Sequence, residues 1–177
     1  MSTNWRISSF NGALLAAYFI PTWAILAYRV VEAPIHSFYE RPNVAVAFFA
    51  SDYLHFVATG MVRTAWLLAL GRMTVVAFFA IFVGLLARPQ IRKTGGCNEA
   101  LAIALGLGSV MSFAMMLMAS YVHEVEAMRL HATELLMLLG TAILLLVERP
   151  AEANTTAVPE VAQQELPLQQ PQLLHNP

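Results

Sequence analysis

The sequence predicts an all-α, polytopic membrane helical bundle, and three observations carry that prediction. The 177 residues are 58% hydrophobic and only 12% charged, with mean hydropathy +0.61. A soluble domain usually carries about 25% charged residues, so this chain has too little polar surface to coat a globule in water. The charges are also clumped, and the long apolar runs between them have the length that a bilayer core demands of a helix. Four such runs are present, at about 10–31, 66–87, 100–121 and 130–147. An amphipathic segment at about 44–59 and a polar tail at 150–177 complete the expected organisation of one bundle domain.

The first span runs past Pro21 and Trp23 to Val31, longer than the apolar core of a cleaved signal peptide, so it is expected to stay in the membrane. Pro21 lies inside it and offers no N–H to the helix. Pro34 and Pro42 then break the chain, and Arg41-Pro42-Asn43 reads as a turn leading into a helix. From Val44 onward, Val46, Phe49, Ala50, Tyr53, Phe56 and Val57 fall on one face of a helical wheel, and Ser51, Asp52, His55 and Thr59 on the other. That segregation predicts a helix lying in the membrane interface, or one dipping into the bundle with Asp52 and His55 facing a polar site.

In the second span the uncharged core between Arg72 and Arg88 is about 22 Å long at 1.5 Å per residue, short of the ~30 Å hydrocarbon layer. The helix must therefore extend back through Trp66, which places Arg72 below the interface. There it snorkels or pairs with a carboxylate inside the bundle. Arg88-Pro89-Gln90-Ile91-Arg92-Lys93 is a basic turn, and about eight residues, Val122 to Arg129, join spans three and four as antiparallel neighbours. The tail is rich in Pro, Gln and Glu and is expected to be disordered. The acid-free basic turn beside two span ends favours a plasma (inner) membrane protein with both termini inside.

Several residues are candidates for chemistry. His123, Glu126, His131 and Glu134 form two His-x-x-Glu pairs, each at i, i+3 and so on one helix face. Folded as a hairpin, they offer two imidazoles and two carboxylates, a donor set that suits Zn, Fe or Mn. Haem ligation by His55 and His131 is a related expectation. No cofactor can be named from the sequence. Asp52, His55, Arg72 and Glu134 are the expected buried ionisable residues. Arg72 and Glu134 are placed at similar depths, where one can offset the other's desolvation. Ala104, Gly108 and Ser112 recur every four residues in span three, with Ser120 further along, as a small-residue face for close helix packing. Met111, Met115 and Met118 occupy another face, the usual work of methionine as packing filler.

A formal net charge of −1 gives no basic stripe for nucleic acid. Cys97 is the lone cysteine, so an intrachain disulfide is excluded. No nucleophile–base arrangement stands out. The expected partners are the lipid bilayer and other membrane subunits or further copies of the chain. Three functions fit: a non-enzymatic accessory, assembly or anchoring subunit of a membrane complex; a metal- or haem-binding redox component; and a small proton-coupled carrier or channel.

Overall fold

The computed structural model describes residues 7–88, 90 and 96–148. The tail at 150–177 and the basic residues Arg92, Lys93 and Arg149 lie outside the described residues, as do the expectations that rest on them. Six helices follow one another: α1 (Ile7–Glu32), α2 (Pro34–Phe38), α3 (Val44–Asp52), α4 (Ala58–Leu86), α5 (Cys97–Tyr121) and α6 (Val125–Val147). Among the described residues, α1, α4, α5 and α6 are the helices long and apolar enough to cross a membrane. All four runs expected from the sequence are therefore helices, in an all-helical bundle.

Three boundaries differ most from the expected ones. α4 begins at Ala58, eight residues before the predicted start, so Arg72 sits at its midpoint and not in its outer third. The segment expected as one helix over 44–59 is two things. α3 stops at Asp52, His55 takes a left-handed backbone (φ 51°), Val57 is extended, and α4 starts. Left-handed residues end helices, so the turn at His55 divides what the side-chain pattern reads as continuous. α6 likewise starts earlier than expected, at Val125. The α5–α6 connection is only Val122–Glu124, with His123 left-handed at φ 58°. The polar residues Glu126 and Arg129 do not stop a helix, and Glu126 in the first turn suits the positive end of the helix dipole.

The long helices form a ring in which α1 packs along α4, α4 along α5, and α5 along α6, with a lesser contact from α6 back to α1. The core is aromatic on the α1–α4 side, where Phe19 stacks on Phe79 (5.6 Å between ring centroids) and meets Trp23 edge-on (5.0 Å). Gly108 sits where α5 passes between α4 and α6. A Cβ there would lie 3.3 Å from a Leu138 methyl and 3.6 Å from Val75. Ala104 and Ser112, one turn to either side, are fully buried, so the small-residue face packs inside the bundle. Gly12 permits a second close approach, because a Cβ there would fall 2.8 Å from a Leu101 methyl and 3.1 Å from the Phe82 ring. Outward-facing positions such as Ile25, Leu67, Leu70, Val110 and Leu136 are exposed and apolar, a surface suited to lipid and not to water.

The α2–α3 connector closes one end of the ring. Ala33 precedes Pro34, a pairing that disfavours continued helix, and Pro34 then occupies the first turn of α2. Ser37 donates to the Arg29 carbonyl (2.9 Å), and the buried Asn43 amide donates to the Ser37 carbonyl (2.8 Å), which folds the connector back onto α1. α3 packs against α5 through Ala45 and Ala119, with Ala127 of α6 in the same small cluster, and it buries Val46, Ala47 and Ala50. It does not lie apart with one apolar face down. Its alanines permit close contact on the side that hydropathy alone ranks as weakly apolar, while Phe48 is turned outward.

A buried polar centre as the candidate functional site

The inward stripe of α6 is Ala127, His131, Glu134, Leu138, Thr141 and Leu145, alternating steps of four and three. His131 and Glu134 are 1% and 3% exposed, although the same steps carry only small or apolar residues and a threonine elsewhere. They meet side chains from α1 and α5. The Trp23 indole N–H on α1 donates to Glu134 Oε1 (3.2 Å), and the Ser112 hydroxyl on α5 donates to Oε2 (3.4 Å). His131 Nδ1 lies 3.0 Å from Glu134 Oε2. Its other nitrogen, Nε2, lies 3.2 Å from the carbonyl of Pro42 in the connector.

Arg72 enters from the midpoint of α4 and is 1% exposed. One terminal nitrogen, Nη2, donates to the same Pro42 carbonyl (3.4 Å) and approaches the Met115 sulfur (3.5 Å). Its guanidinium lies 5.9 Å from the Trp23 ring centroid, within reach of a cation–π interaction. Nε and Nη1 have no hydrogen-bond partner among the described residues. Arg72 therefore does not snorkel. It is held near enough to Glu134 for their charges to act on each other, yet the two do not approach within the 4.0 Å of an ion pair. The carbonyl of Pro42 stands between them as a shared acceptor for Arg72 and His131.

The hydrogen-bond inventory constrains the protons. A carbonyl only accepts, so His131 Nε2 facing Pro42 carries a hydrogen. Nδ1 faces a carboxylate oxygen that already accepts from Ser112. A hydrogen bond there needs one proton, on Nδ1 or on Glu134. With Nε2–H on Pro42, a hydrogen bond between Nδ1 and Oε2 places one proton between the imidazole and the carboxylate.

A crevice of about 350 Å³ opens beside this centre, between α1 and α6. Tyr18, Thr22, Ile25 and Leu26 form one wall, Leu130 the other, and Glu134 and Arg29 are also on its lining. It exists because α1 follows α4 and is tied to α6 chiefly at the far end. There Glu148 accepts from the Ser8 amide (3.1 Å) and hydroxyl, and the Asn11 side chain donates to Thr141 (2.7 Å).

The other candidates fare differently. Glu126 is exposed and pairs with Arg41 (3.3 Å), and His123 is exposed in the α5–α6 turn. Of the four residues expected to converge on a metal, only His131 and Glu134 meet. Among the described residues no group of three His, Cys, Asp or Glu side chains is placed to hold a metal ion. Asp52 and His55 are exposed, not buried, because α3 ends before it can carry them inward. His55 consequently does not face His131 across the interior. Sequence reasoning missed Trp23 and the Pro42 carbonyl. The stripe of α6 offered a route to the inward placement of His131, but nothing local marks a backbone carbonyl as the acceptor for two side chains from elsewhere. Comparison with known proteins finds no matching family model, no matching curated protein and no matching solved structure.

Proposed function

We propose that this chain is a multi-pass protein of the plasma membrane that takes up and releases a proton at His131 and Glu134, as a small proton-coupled carrier does. The observation that supports the reading is the placement of the His131 ring between a carbonyl and a carboxylate. That arrangement holds one exchangeable proton in the interior of the bundle. A purely structural centre gains little from two ionisable groups whose burial is costly, and intramembrane ionisable residues commonly mark proton relays. Arg72 supplies a fixed positive charge that makes the deprotonated state tolerable. The crevice gives the centre a route to the outside of the bundle. Both termini are proposed to be cytoplasmic, on the strength of the basic turn that begins at Arg88. Labelling of a cysteine placed at Arg92, with Cys97 replaced, by an impermeant reagent from outside the cell would overturn that orientation.

The test of the proton site is infrared difference spectroscopy of the reconstituted protein between acidic and basic conditions. The wild type should show a carboxyl band that is missing in Glu134→Gln and shifted in His131→Gln. A wild type without such a band would sink the reading. A second reading, an accessory or assembly subunit of a membrane complex, is favoured by the aromatic group of Phe49, Tyr53 and Tyr121 at the connector end. The two tyrosines are exposed there, with Tyr53 donating to the Tyr121 carbonyl (3.1 Å). Affinity purification that yields a defined stoichiometric membrane partner, lost on Tyr53→Ala with Tyr121→Ala, would favour it over the carrier.

A further inference from the structure

The crevice between α1 and α6 combines three features that together recognise one chemistry. Its lining holds a buried carboxylate, Glu134; its α1 wall carries the ring of Tyr18; and Pro21, Ile25, Leu26 and Leu130 add apolar surface. A carboxylate with an aromatic face attracts a positive charge, and quaternary ammonium groups in particular are held over aromatic rings. The volume, about 350 Å³, is at the small end of ligand pockets and suits a single-ring organic cation. Arg29 does not oppose this, because Glu40 pairs with it at 3.4 Å. Arg72 is absent from the crevice lining and bonds to the carbonyl of Pro42, which lines it.

We propose that this crevice binds a lipophilic ammonium, whose positive charge replaces the proton shared by His131 and Glu134. The proposal rests on the proton-site reading above and names its counter-substrate class. Charge counting supplies the reason. The charged or titratable groups around Glu134 are Tyr18 and Arg29 from α1, Arg29 being paired with Glu40, Arg72 from α4 and His131 from α6, while α5 contributes the Ser112 hydroxyl. Arg72 with ionised Glu134 is neutral. One added positive charge, proton or ammonium, makes the centre singly positive, and both together would leave two uncompensated charges in a low-dielectric interior. Binding of the ammonium therefore expels the shared proton to water, one for one, with no bond to the ammonium made or broken. A crevice open to the side of the bundle lets the apolar part of the ligand remain against Ile25 and Leu130.

Trp23 is the reporter, since its indole N–H donates to Glu134. The full chain carrying Trp5→Phe and Trp66→Phe, in a nonionic detergent, leaves Trp23 as the lone indole. Its emission should follow a single-proton transition in a titration over roughly pH 4–10, the window that holds carboxylate, imidazole and phenol titrations. Benzyltrimethylammonium should shift the midpoint to lower pH, by about one unit per tenfold concentration once it is well above its dissociation constant. Neopentylbenzene, its uncharged isostere, should not. Tyr18→Leu should weaken the ammonium effect several-fold. A pH transition that neither compound moves, or that both move equally, overturns the ammonium site and leaves the proton site standing. Absence of any pH transition overturns both.

Discussion

Two His-x-x-Glu pairs lie eight residues apart in this chain, with identical spacing and opposite fates. His123 and Glu126 sit at the α5–α6 turn in solvent, where Glu126 reaches Arg41. His131 and Glu134 are buried among Trp23, Ser112, Arg72 and the Pro42 carbonyl, with Glu134 reaching the crevice. Composition does not separate the pairs, and neither does helical spacing. What separates them is position along the heptad-like stripe of α6, and that stripe begins at Ala127, one residue beyond Glu126. A surface ion pair such as Arg41–Glu126 contributes at most about 1 kcal/mol. The inner pair is surrounded by groups that have no alternative partner in water, so its removal acts on the whole bundle.

The largest effect expected from this contrast is at Glu134. Glu134→Gln preserves shape but leaves Arg72 without its compensating charge, and it should destabilise the solubilised protein by about 2–4 kcal/mol. Thermal unfolding of detergent-purified protein measures it, and the double variant with Arg72→Gln should recover part of the loss. Strict additivity of the two changes would mean that their charges do not act on each other. Next comes Gly108→Leu, which drives a side chain into Leu138, one turn along α6 from Glu134. Overpacking of this kind costs about 1–3 kcal/mol, and it should also perturb Trp23 emission by displacing Glu134. A destabilised variant with unchanged Trp23 emission would show that helix packing and the polar centre are independent.

The outer pair should respond weakly and, at one position, with the opposite sign. His123 has φ 58°, a backbone region that costs an L-residue roughly 1–2 kcal/mol and glycine almost nothing. After the entropic cost of glycine in the unfolded chain, His123→Gly should raise stability by about 0.5 kcal/mol. A clear loss in the same thermal assay would mean that the imidazole has a partner in the membrane that is absent from the isolated bundle. Smallest of all, Glu126→Gln should change stability by less than about 0.5 kcal/mol. It should leave the pH response of Trp23 unaltered, and a shifted response would erase the distinction between the two pairs.

Hydropathy was enough to place four spanning helices and to mark Ala104, Gly108 and Ser112 as a packing face, because a lipid-bathed helix must satisfy its own backbone and needs small residues where backbones meet. Arg72 and Glu134 were conspicuous as charges inside apolar runs for the same reason. The sequence also placed Asp52 and His55 near the centre, and the structure puts them outside. The left-handed turn at His55 is a local backbone choice that side-chain periodicity does not register. The gathering of His131 and Arg72 on the Pro42 carbonyl was decided only by tertiary structure. That acceptor is a backbone group every residue possesses, and only the folding of the connector onto α1 through Ser37 and Asn43 brings this one to the mouth of the ring. The sequence by itself determined which segments leave water and which side chains are expensive to bury. Which of those side chains meet, and beside what opening, depended on contacts between helices far apart in the chain, where hydrogen-bond geometry and not composition is the selecting force.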